Sequence, residues 1–378
     1  MSDYLHIADF LEPVDLNLTI RDEMFQDGQI GNYIDVYGDR FPDLSNADIV
    51  FLGCAERRGA GPGGKTPAPD KIREQFYGLY FWHPSVRMAD IGNIRTGAGL
   101  SDTYAALKTV IREITALGKT VVTLGGSHDL TLAQYYAFAD DHKIIEAVCV
   151  DALIDLDINS PKKSEHFLME MLTGEPNYIR HYHHLGFQSY YVHPRMLETL
   201  DKLRFDCFRV GKIREDMEEI EPAIRHSHLF SFDLSAIANA FAPSNTLSPN
   251  GFTGDEACSL LRYAGLNPSL HSIGIYGYEP EKDKDNLTAK QVAQMIWYFL
   301  DGRNRGMREA SIKEKDAFNE YHTIFAEVAT TFLQSKRTGR WWMQLPDEQF
   351  IPCSYNDYIL ASANEVPERW LRAQERSA

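Results

Sequence analysis

The sequence predicts an α/β fold of three layers, α/β/α, built on a mainly parallel sheet. Short and almost continuously apolar runs recur along the chain, and patterns of helical periodicity lie between them. Continuous apolar runs are typical of strands covered on both faces, and alternation of strands with helices is typical of parallel sheets. Short polar motifs also follow several of the runs, at the strand ends where such folds place their ligand sites.

Five runs, bounded by glycine or polar residues, predict strands. In chain order they are residues 47–54, 120–126, 147–155, 228–235 and 271–278. The segments between or after these runs have the apolar spacing of helices that pack on a sheet. In chain order these are residues 103–118, 130–141, 255–265 and 288–302.

We expect three parts: an N-terminal arm over residues 1–45, an α/β domain over residues 46–302, and a C-terminal extension over residues 303–378. The extension is short, so it is expected to pack on the main domain rather than fold alone. Within it, FNEYHTIFAEVATTFLQ (residues 318–334) resembles an amphipathic helix, and GRWWMQL (residues 339–345) resembles a strand. The alternative is that its tryptophans form a contact surface for a partner.

The composition limits the classes of partner and the compartment. The formal net charge of the 378 residues is −16, which opposes binding to nucleic acid or to anionic membranes, so neither partner is expected. The start of the chain lacks the pattern of a signal peptide, and no apolar run approaches about 18 residues. Five widely spaced cysteines without a C-x-x-C pair predict free thiols in a reducing compartment, and the cytoplasm is expected.

One motif imitates a phosphate-binding loop. GAGPGGKT, Gly59–Thr66, matches the pattern G-x-x-x-x-G-K-[ST]. A helix should begin at its Lys-Thr pair so that the first amides face the phosphates. Pro67 and Pro69 follow instead, and the helix is predicted to begin near Asp70. We therefore do not predict a nucleotide site.

Three other motifs are candidates for a functional site. GGSHD (residues 125–129), VDALIDLD (residues 150–157) and SFDLS (residues 231–235) each end a predicted strand. On an extended chain Asp151, Asp155 and Asp157 would share one face, where three carboxylates repel one another unless a cation or water separates them. The surroundings of Asp151 and Asp155 are apolar, so a cation, a basic partner or a proton must compensate their charges.

These motifs resemble, in content and order, those of the arginase/agmatinase/formimidoylglutamase family, the ureohydrolases. The similar segments are ADIVFLGCAE with GPGGKTPAPDKIREQF, then VVTLGGSHDLT, VDALID, SFDLSAI, APSNTLSPNGFTGDEACSLLRYAG and TAKQVAQMIWYFLDG, within about residues 45–302. The resemblance implies a parallel sheet flanked by helices, a homo-oligomer, and two manganese ions bridged by a hydroxide. That hydroxide attacks the carbon of a guanidinium or formimino group.

The resemblance assigns four ligands, His128, Asp151, Asp155 and Asp233, which in the family serve one of the two manganese ions. Leu153 and Ser235 stand where the family has a histidine and an aspartate for the other ion. One His and three Asp suit Mn²⁺ or another cation that prefers oxygen. We therefore expect one Mn²⁺ at most.

Further departures concern the substrate and the second motif. Gly277 stands where the family has the glutamate that holds the substrate, and Glu279 lies two residues along. His166 is a loose match to a loop histidine of the family. In a second register, Asp157 would be the terminal ligand and Asp155 would replace the histidine, giving an all-carboxylate motif suited to Ca²⁺ or Mg²⁺.

A group of histidines lies in HYHHLGFQSYYVHP, which we interpret as a polar turn leading into a strand. It contains His181, His183, His184 and His193. Histidine clusters can also bind metal, and His183 or His184 could replace the missing ligand.

Two functions follow from these patterns. The first is a hydrolase of a guanidino or formimino C–N bond with at most one well-formed metal site, in which Asp155 or Asp157 could orient the water. No catalytic residue is assigned. The alternative is a catalytically silent homologue that acts as a binding or scaffold protein, with the aromatic extension as its contact surface.

Overall fold

The centre of the molecule is a ten-stranded sheet; the computed structural model describes residues 5–15 and 25–377. In chain order the strands are β1 Leu11–Glu12, β2 Asp35–Val36, β3 Ile49–Gly53, β4 Met88–Ile94, β5 Thr120–Leu124, β6 Ile145–Val150, β7 Ile179–Phe187, β8 Asp206–Arg209, β9 Leu229–Asp233 and β10 Ser272–Tyr276. Across the sheet the order is β1-β4-β3-β5-β10-β9-β6-β7-β8, and β2 also pairs with β4. All these pairings are parallel except that of β1 with β4.

Helices cover both faces of this sheet. In chain order they are α1 Ala68–Phe76, α2 Leu100–Ala116, α3 Thr131–Ala139, α4 Phe167–Thr173, α5 Pro194–Lys202, α6 Val210–Glu215, α7 Glu221–Ile224, α8 Gly254–Leu266 and α9 Leu287–Gly306. Consecutive residues of β5 show the layering: Val121 packs in a cluster with α2, whereas Val122 packs in a cluster with α1, α8 and α9. The predicted fold class, three layers around a mainly parallel sheet, is confirmed.

Glycines allow α8 and α9 to pack closely. A Cβ at Gly302 of α9 would lie 2.1 Å from the carbonyl oxygen of Arg262, and a Cβ at Gly265 of α8 would lie 2.1 Å from that of Phe299. Neither position has room for a side chain. The contact anchors α9, the helix that follows β10. The carboxyl end of β10 borders the candidate site described below.

The five predicted strands are all present, but the prediction missed β1, β2, β4 and β8 and misplaced β7. In β4 the polar residues hid the pattern: Asp90 is fully buried and accepts hydrogen bonds from Nε and Nη2 of Arg73, at 2.8 and 2.9 Å. In β7 the histidines lie within the strand, which ends at Phe187, and not in the predicted turn before it. The strand predicted over 147–155 also ends early, at Val150, so the acidic motif is a loop.

The extension contains a second sheet, where a helix was predicted over 318–334. Its strands are β11 Phe318–Phe325, β12 Val328–Ser335, β13 Trp341–Gln344 and β14 Phe350–Cys353, antiparallel in that order. Two helices follow, α10 Tyr355–Ser362 and α11 Glu368–Ser377. The helix prediction was wrong because the segment is rich in β-branched and aromatic residues and carries a two-residue turn that its apolar spacing concealed. The strand predicted in GRWWMQL is present as β13.

A substitution in the hairpin turn tests directly whether this segment forms a hairpin or a helix. Ala326 and Glu327 connect β11 to β12 with φ of 47° and 64°, the left-handed region that Asn and Gly favour. Replacing the pair by Asn-Gly is expected to raise the free energy of unfolding by about 1 kcal/mol. In a helix the same glycine would lower the free energy of unfolding by about 1 kcal/mol. The sign of the change, measured by chemical denaturation, therefore distinguishes a hairpin from a helix.

Buried ion pairs and hydrogen bonds join the extension to α7 and to Arg225, which follows it. Glu221 of α7 accepts hydrogen bonds from Nε of Arg225 at 3.0 Å, and Nη1 of Arg340 lies 3.5 Å from its Oε1. Nη1 of Arg225 donates to the carbonyl oxygen of Trp341 at 2.5 Å, and its guanidinium lies 4.6 Å from the ring centre of Trp342. All these side chains are at least nine-tenths buried.

Two simpler predictions concern the bulk properties. All five cysteines are free thiols, as predicted, and four of them are buried. Among the described residues, no helix combines the length and the apolar character that crossing a bilayer requires. Of the predicted N-terminal arm, residues 1–4 and 16–24 lie outside the described part, and β1 joins the edge of the main sheet through β4.

Candidate metal centre

The candidate site lies at the carboxyl ends of neighbouring strands. His128 follows β5 in a short 3-10 turn, Asp151 follows β6, and Asp233 is the last residue of β9. Strands β5, β10, β9 and β6 are consecutive in the sheet and parallel, so their carboxyl ends meet at one edge. The fold therefore brings together residues that are more than a hundred positions apart in the chain.

The four predicted ligands converge on one ring nitrogen. Nδ1 of His128 lies 3.0 Å from Oδ2 of Asp151, 3.0 Å from Oδ2 of Asp155 and 3.9 Å from Oδ2 of Asp233. The ligand atoms of His128, Asp151 and Asp155 all lie within 4.8 Å of one another. Asp233 is the outermost member, and its side chain is 14% exposed against 3–5% for the other three.

The ring of His128 is held from its other nitrogen. Nε2 lies 3.0 Å from Oγ of Ser231, which lies 2.6 Å from Oγ1 of Thr131, and Nε2 is 3.4 Å from Sγ of Cys149. A proton on Nε2 that is donated to Ser231 leaves the lone pair of Nδ1 facing the carboxylates. Metal-binding histidines are oriented by such a hydrogen bond. The ring of Phe167 packs edge-on against His128, with centres 4.8 Å apart.

The charges of this cluster fit a cation. Within the described residues, His128 is the only basic side chain in an ion pair with Asp151, Asp155 or Asp233. Burial, and next the charge of Asp151, raise the pKa of Asp155 well above its usual value and that of Asp233 to about 6. Three carboxylates and one imidazole suit a divalent ion that prefers oxygen, such as Mn²⁺.

Hydrogen bonds from the protein occupy the outer side of the cluster. Oδ1 of Asp151 accepts from Oγ of Ser235 at 2.5 Å and from the backbone N–H of Leu153 at 2.9 Å. Oδ1 of Asp233 accepts from the backbone N–H of Ser235 at 2.8 Å. Ser235 and Leu153 are the two residues that depart from the family pattern, and both donate hydrogen bonds to carboxylate oxygens of the cluster.

The acidic motif does not place its three carboxylates together. Asp157 is exposed, and its Oδ1 accepts from the backbone N–H of Asn159 at 3.1 Å. Asp155, not Asp157, lies beside His128. The prediction of three aspartates on one face was wrong because β6 ends at Val150 and the chain turns within the motif. This geometry favours the first of the two registers.

Gly277 occupies the position at which the family resemblance implies a glutamate that holds the substrate. Gly277 has φ of 81°, and a Cβ there would lie 2.7 Å from Oδ2 of Asp233. A glutamate at this position would displace Asp233. Glu279 is turned toward other charges, since Nη2 of Arg57 lies 3.2 Å from its Oε2 and Nζ of Lys282 lies 2.8 Å from its Oε1. In this conformation Glu279 does not replace the missing glutamate.

The remaining histidines take separate positions. His166 directly precedes Phe167, in the loop beside the cluster. His184 contacts the backbone oxygen of Asp151 through Nε2 at 3.2 Å and the hydroxyl of Tyr182 through Nδ1 at 2.9 Å. Burial lowers the pKa of His184 to about 4, so the ring is neutral and both its nitrogens are occupied. His183 lies on the other face of β7, so neither residue fills the missing ligand position.

The phosphate-loop imitation has no helix at its Lys-Thr pair, as expected. Residues Arg58–Ala60 form a 3-10 turn, and α1 begins at Ala68. Lys65 is instead paired with Glu12 at 3.4 Å.

Sequence reasoning missed Ser231 and Cys149, which contact Nε2 of His128. A usable signal was present. Ser231 lies two residues before Asp233 in β9, so their side chains share a face of the sheet. Cys149 lies opposite Ser231 on the neighbouring strand.

The chain matches the model of the arginase family over residues 47–301. A formimidoylglutamase of Staphylococcus haemolyticus is 25% identical over 291 residues, which cover 69% of this chain and 90% of that protein. A formimidoylglutamase of Staphylococcus aureus is 24% identical over 285 residues, with the same coverage.

Solved structures share the fold. The formimidoylglutamase of Bacillus subtilis superposes with a TM-score of 0.66 at 17% identity, over 77% of this chain and 98% of that one. A formiminoglutamase of Trypanosoma cruzi, determined with Mn²⁺, gives 0.63 at 16% identity, over 69% and 95% of the two chains. The family match spans about two thirds of the sequence and contains all four residues of the cluster. The chain therefore belongs to the arginase family.

Proposed function

We propose that this protein hydrolyses a formimino or guanidino C–N bond with a single Mn²⁺ held by His128, Asp151, Asp155 and Asp233. The observation that carries the proposal is the convergence of three carboxylates on Nδ1 of one histidine, with no lysine or arginine ion pair among the described residues to neutralise them. The relatives named above are formimidoylglutamases, and one of their structures contains Mn²⁺. A formimino compound is therefore the first substrate to test.

The residues have distinct tasks in this proposal. A bound Mn²⁺ would lower the pKa of a water molecule and polarise the carbon centre. Ser231 keeps the ring of His128 in the orientation that directs Nδ1 at the site. Asp151 is held by Ser235 and Leu153, so its Oδ2 remains directed inward. Asp233, the most exposed of the four, borders the side from which a substrate would approach.

A silent homologue is the second candidate, and specific observations favour it. Ser235 and the N–H of Leu153 satisfy the carboxylate oxygen that a second ion would use. Gly277 leaves the substrate without its carboxylate partner, and the space beside Asp233 has no room for one. In this case the metal would stabilise the fold and the protein would act by binding a partner.

Metal content tests the proposed ligands. After dialysis with Mn²⁺ and removal of free ion, elemental analysis is expected to find about one ion per chain in the wild type and almost none in Asp155→Asn, because the variant loses a charged ligand. Asp157→Asn is the matched control, since Asp157 is exposed and lies two residues away. Unchanged metal in Asp155→Asn together with loss in Asp157→Asn would establish the second register instead.

Turnover separates the two candidates. Formamide or ammonia release from formiminoglutamate, and urea release from agmatine and arginine, are measured with the Mn²⁺-loaded wild type. Release that disappears in Asp155→Asn and persists in Asp157→Asn supports the hydrolase. A folded protein that binds about one Mn²⁺ and turns over none of these substrates contradicts the hydrolase and supports the silent homologue.

A further inference from the structure

A second cluster of metal-binding side chains lies between the main sheet and the extension. His181 and His183 are two residues apart in β7, so they share one face, and Asp206 of β8 is the register partner of His183. The ligand atoms of all three residues lie within 4.8 Å of one another. His184, whose side chain contacts the first centre, lies on the opposite face of β7. The sheet therefore separates the two clusters.

The spacing of the ligand atoms matches a shared ion. Oδ2 of Asp206 lies 2.7 Å from Nε2 of His181 and 3.2 Å from Nδ1 of His183. Two ligands of a tetrahedral zinc ion, each bound at about 2.0–2.1 Å, lie about 3.3 Å apart. Small movements of side chains would thus bring all three atoms to one Zn²⁺. The two imidazole rings already face each other edge to face, with centres 4.2 Å apart.

One ring nitrogen of the cluster has no hydrogen-bond partner among the described residues. Nδ1 of His183 is buried, and its contact with Asp206 is not directed as a hydrogen bond. The residue as a whole is 8% exposed. A buried nitrogen without a partner is costly, and a metal ion is one way to satisfy it.

The carboxylate of Asp206 is oriented toward the two histidines by a residue of α11. Nη1 of Arg372, in α11, donates to Oδ1 of Asp206 at 2.7 Å, so Oδ2 faces the two histidines. Metal-binding carboxylates are commonly oriented by an outer hydrogen bond of this kind.

The cluster opens into a cavity of about 550 Å³. Strands β7 and β8 and helices α6 and α7 form one side of it, and Pro352, Asp357 and Arg369 of the extension form the other. Three protein ligands with a position open to a cavity are typical of catalytic zinc sites, whereas structural sites are closed by four. The volume leaves room for water or a small ligand at the open position.

We propose that His181, His183 and Asp206 bind Zn²⁺, for which Co²⁺ can substitute, at an open site beneath the C-terminal extension. Two imidazoles and one carboxylate are a known donor set for zinc. The site is independent of the proposed hydrolase centre, because it shares none of that centre's ligands and lies on the other face of β7.

The test uses the full chain with the first centre disabled. Asp155→Asn protein is freed of metal by a chelator and titrated with Zn²⁺ alone, by calorimetry, and with Co²⁺ alone, by visible absorption. About one equivalent of either ion is expected to bind, with the strong absorption of Co²⁺ in a tetrahedral site. His183→Gln in this background is expected to weaken binding by about 100-fold or more, whereas His322→Gln, an exposed histidine of β11, should leave it unchanged.

Two results would overturn the proposal. One is a folded Asp155→Asn protein that binds neither ion, which would make the cluster an ordinary histidine–aspartate ion pair. The other is undiminished binding in His181→Gln/His183→Gln. If these variants do not fold, metal-free wild type titrated with Zn²⁺ gives the answer by NMR: the imidazole signals of His181 and His183 must shift, and unshifted signals contradict the site. Loss of Mn²⁺ from the first centre alone leaves these results unaffected.

Discussion

Replacing Leu153 by His and Ser235 by Asp together is expected to raise the Mn²⁺ bound at saturation from about one ion per chain to about two. The two residues stand at the ligand positions that depart from the family pattern. Ser235 already directs its Oγ at Oδ1 of Asp151, at 2.5 Å, so an aspartate there would place a carboxylate beside the same oxygen. Removing the serine hydroxyl also frees that oxygen for an ion.

The measurement is elemental analysis combined with electron paramagnetic resonance. Two manganese ions that share a carboxylate are magnetically coupled, so the spectrum distinguishes a pair from two separate ions. Ser235→Ala is the control, because it removes the same hydrogen bond without adding a ligand, and it should stay at about one ion. An uncoupled spectrum with one ion in the double variant would show that the carboxylates cannot hold a pair.

Glu221→Gln is expected to lower the free energy of unfolding by about 3 to 5 kcal/mol. Glu221 is the acid shared by Arg225 and Arg340, and all three side chains are at least nine-tenths buried. The substitution leaves two buried guanidiniums facing each other with less negative charge between them; Glu309 remains beside Arg340, at 2.8 Å. Burying an uncompensated charge is among the most costly changes a protein core can undergo.

Tryptophan fluorescence is a suitable probe of this loss during denaturation by urea. Three of the five tryptophans, Trp341, Trp342 and Trp370, lie in the extension. Glu215→Gln, whose side chain is 64% exposed, is the control and should change the free energy by less than about 0.5 kcal/mol. Equal stability of Glu221→Gln and the wild type would mean that the packing of Trp341 and Trp342 alone holds the extension.

The same carboxylate predicts a dependence on pH. Burial would raise the pKa of Glu221, but Arg225 and Arg340 lower it below the usual value of 4.5. A depressed folded-state pKa contributes stability that is present above the unfolded pKa and is lost as pH falls through the folded pKa. The difference in unfolding free energy between wild type and Glu221→Gln should therefore narrow as the pH is lowered from 7 toward 3. A constant difference would contradict the assignment.

The grouping of the four side chains of the first cluster was predictable from the sequence because three of them lie where strands end. His128, Asp151 and Asp233 each follow or end an apolar run, and parallel strands in one sheet bring such ends together. The position of Asp155 was harder to predict, because the strand before it ends at Val150 and the following turn decides whether Asp155 or Asp157 points inward. Only the path of the backbone through this loop distinguishes Asp155 from Asp157 as the member of the cluster.

The second cluster was not predictable because it depends on strand pairing. The sequence around His181 and His183 predicts a polar turn, and nothing around Asp206 indicates that β8 pairs with β7. The helix prediction in the extension failed for a related reason. Its periodicity fits both a helix and a hairpin, and only the turn at Ala326–Glu327, with both residues in left-handed conformations, separates the two.

The position of the extension also restricts how copies of this chain could assemble. Helix α11 lies over the face of β7 and β8 that carries Asp206, where Arg372 pairs with Asp206, and the guanidinium of Arg225 contacts Trp341 and Trp342. A subunit interface that used this face would require the extension to move away. A relative without the extension would have the same face free for contact with another chain.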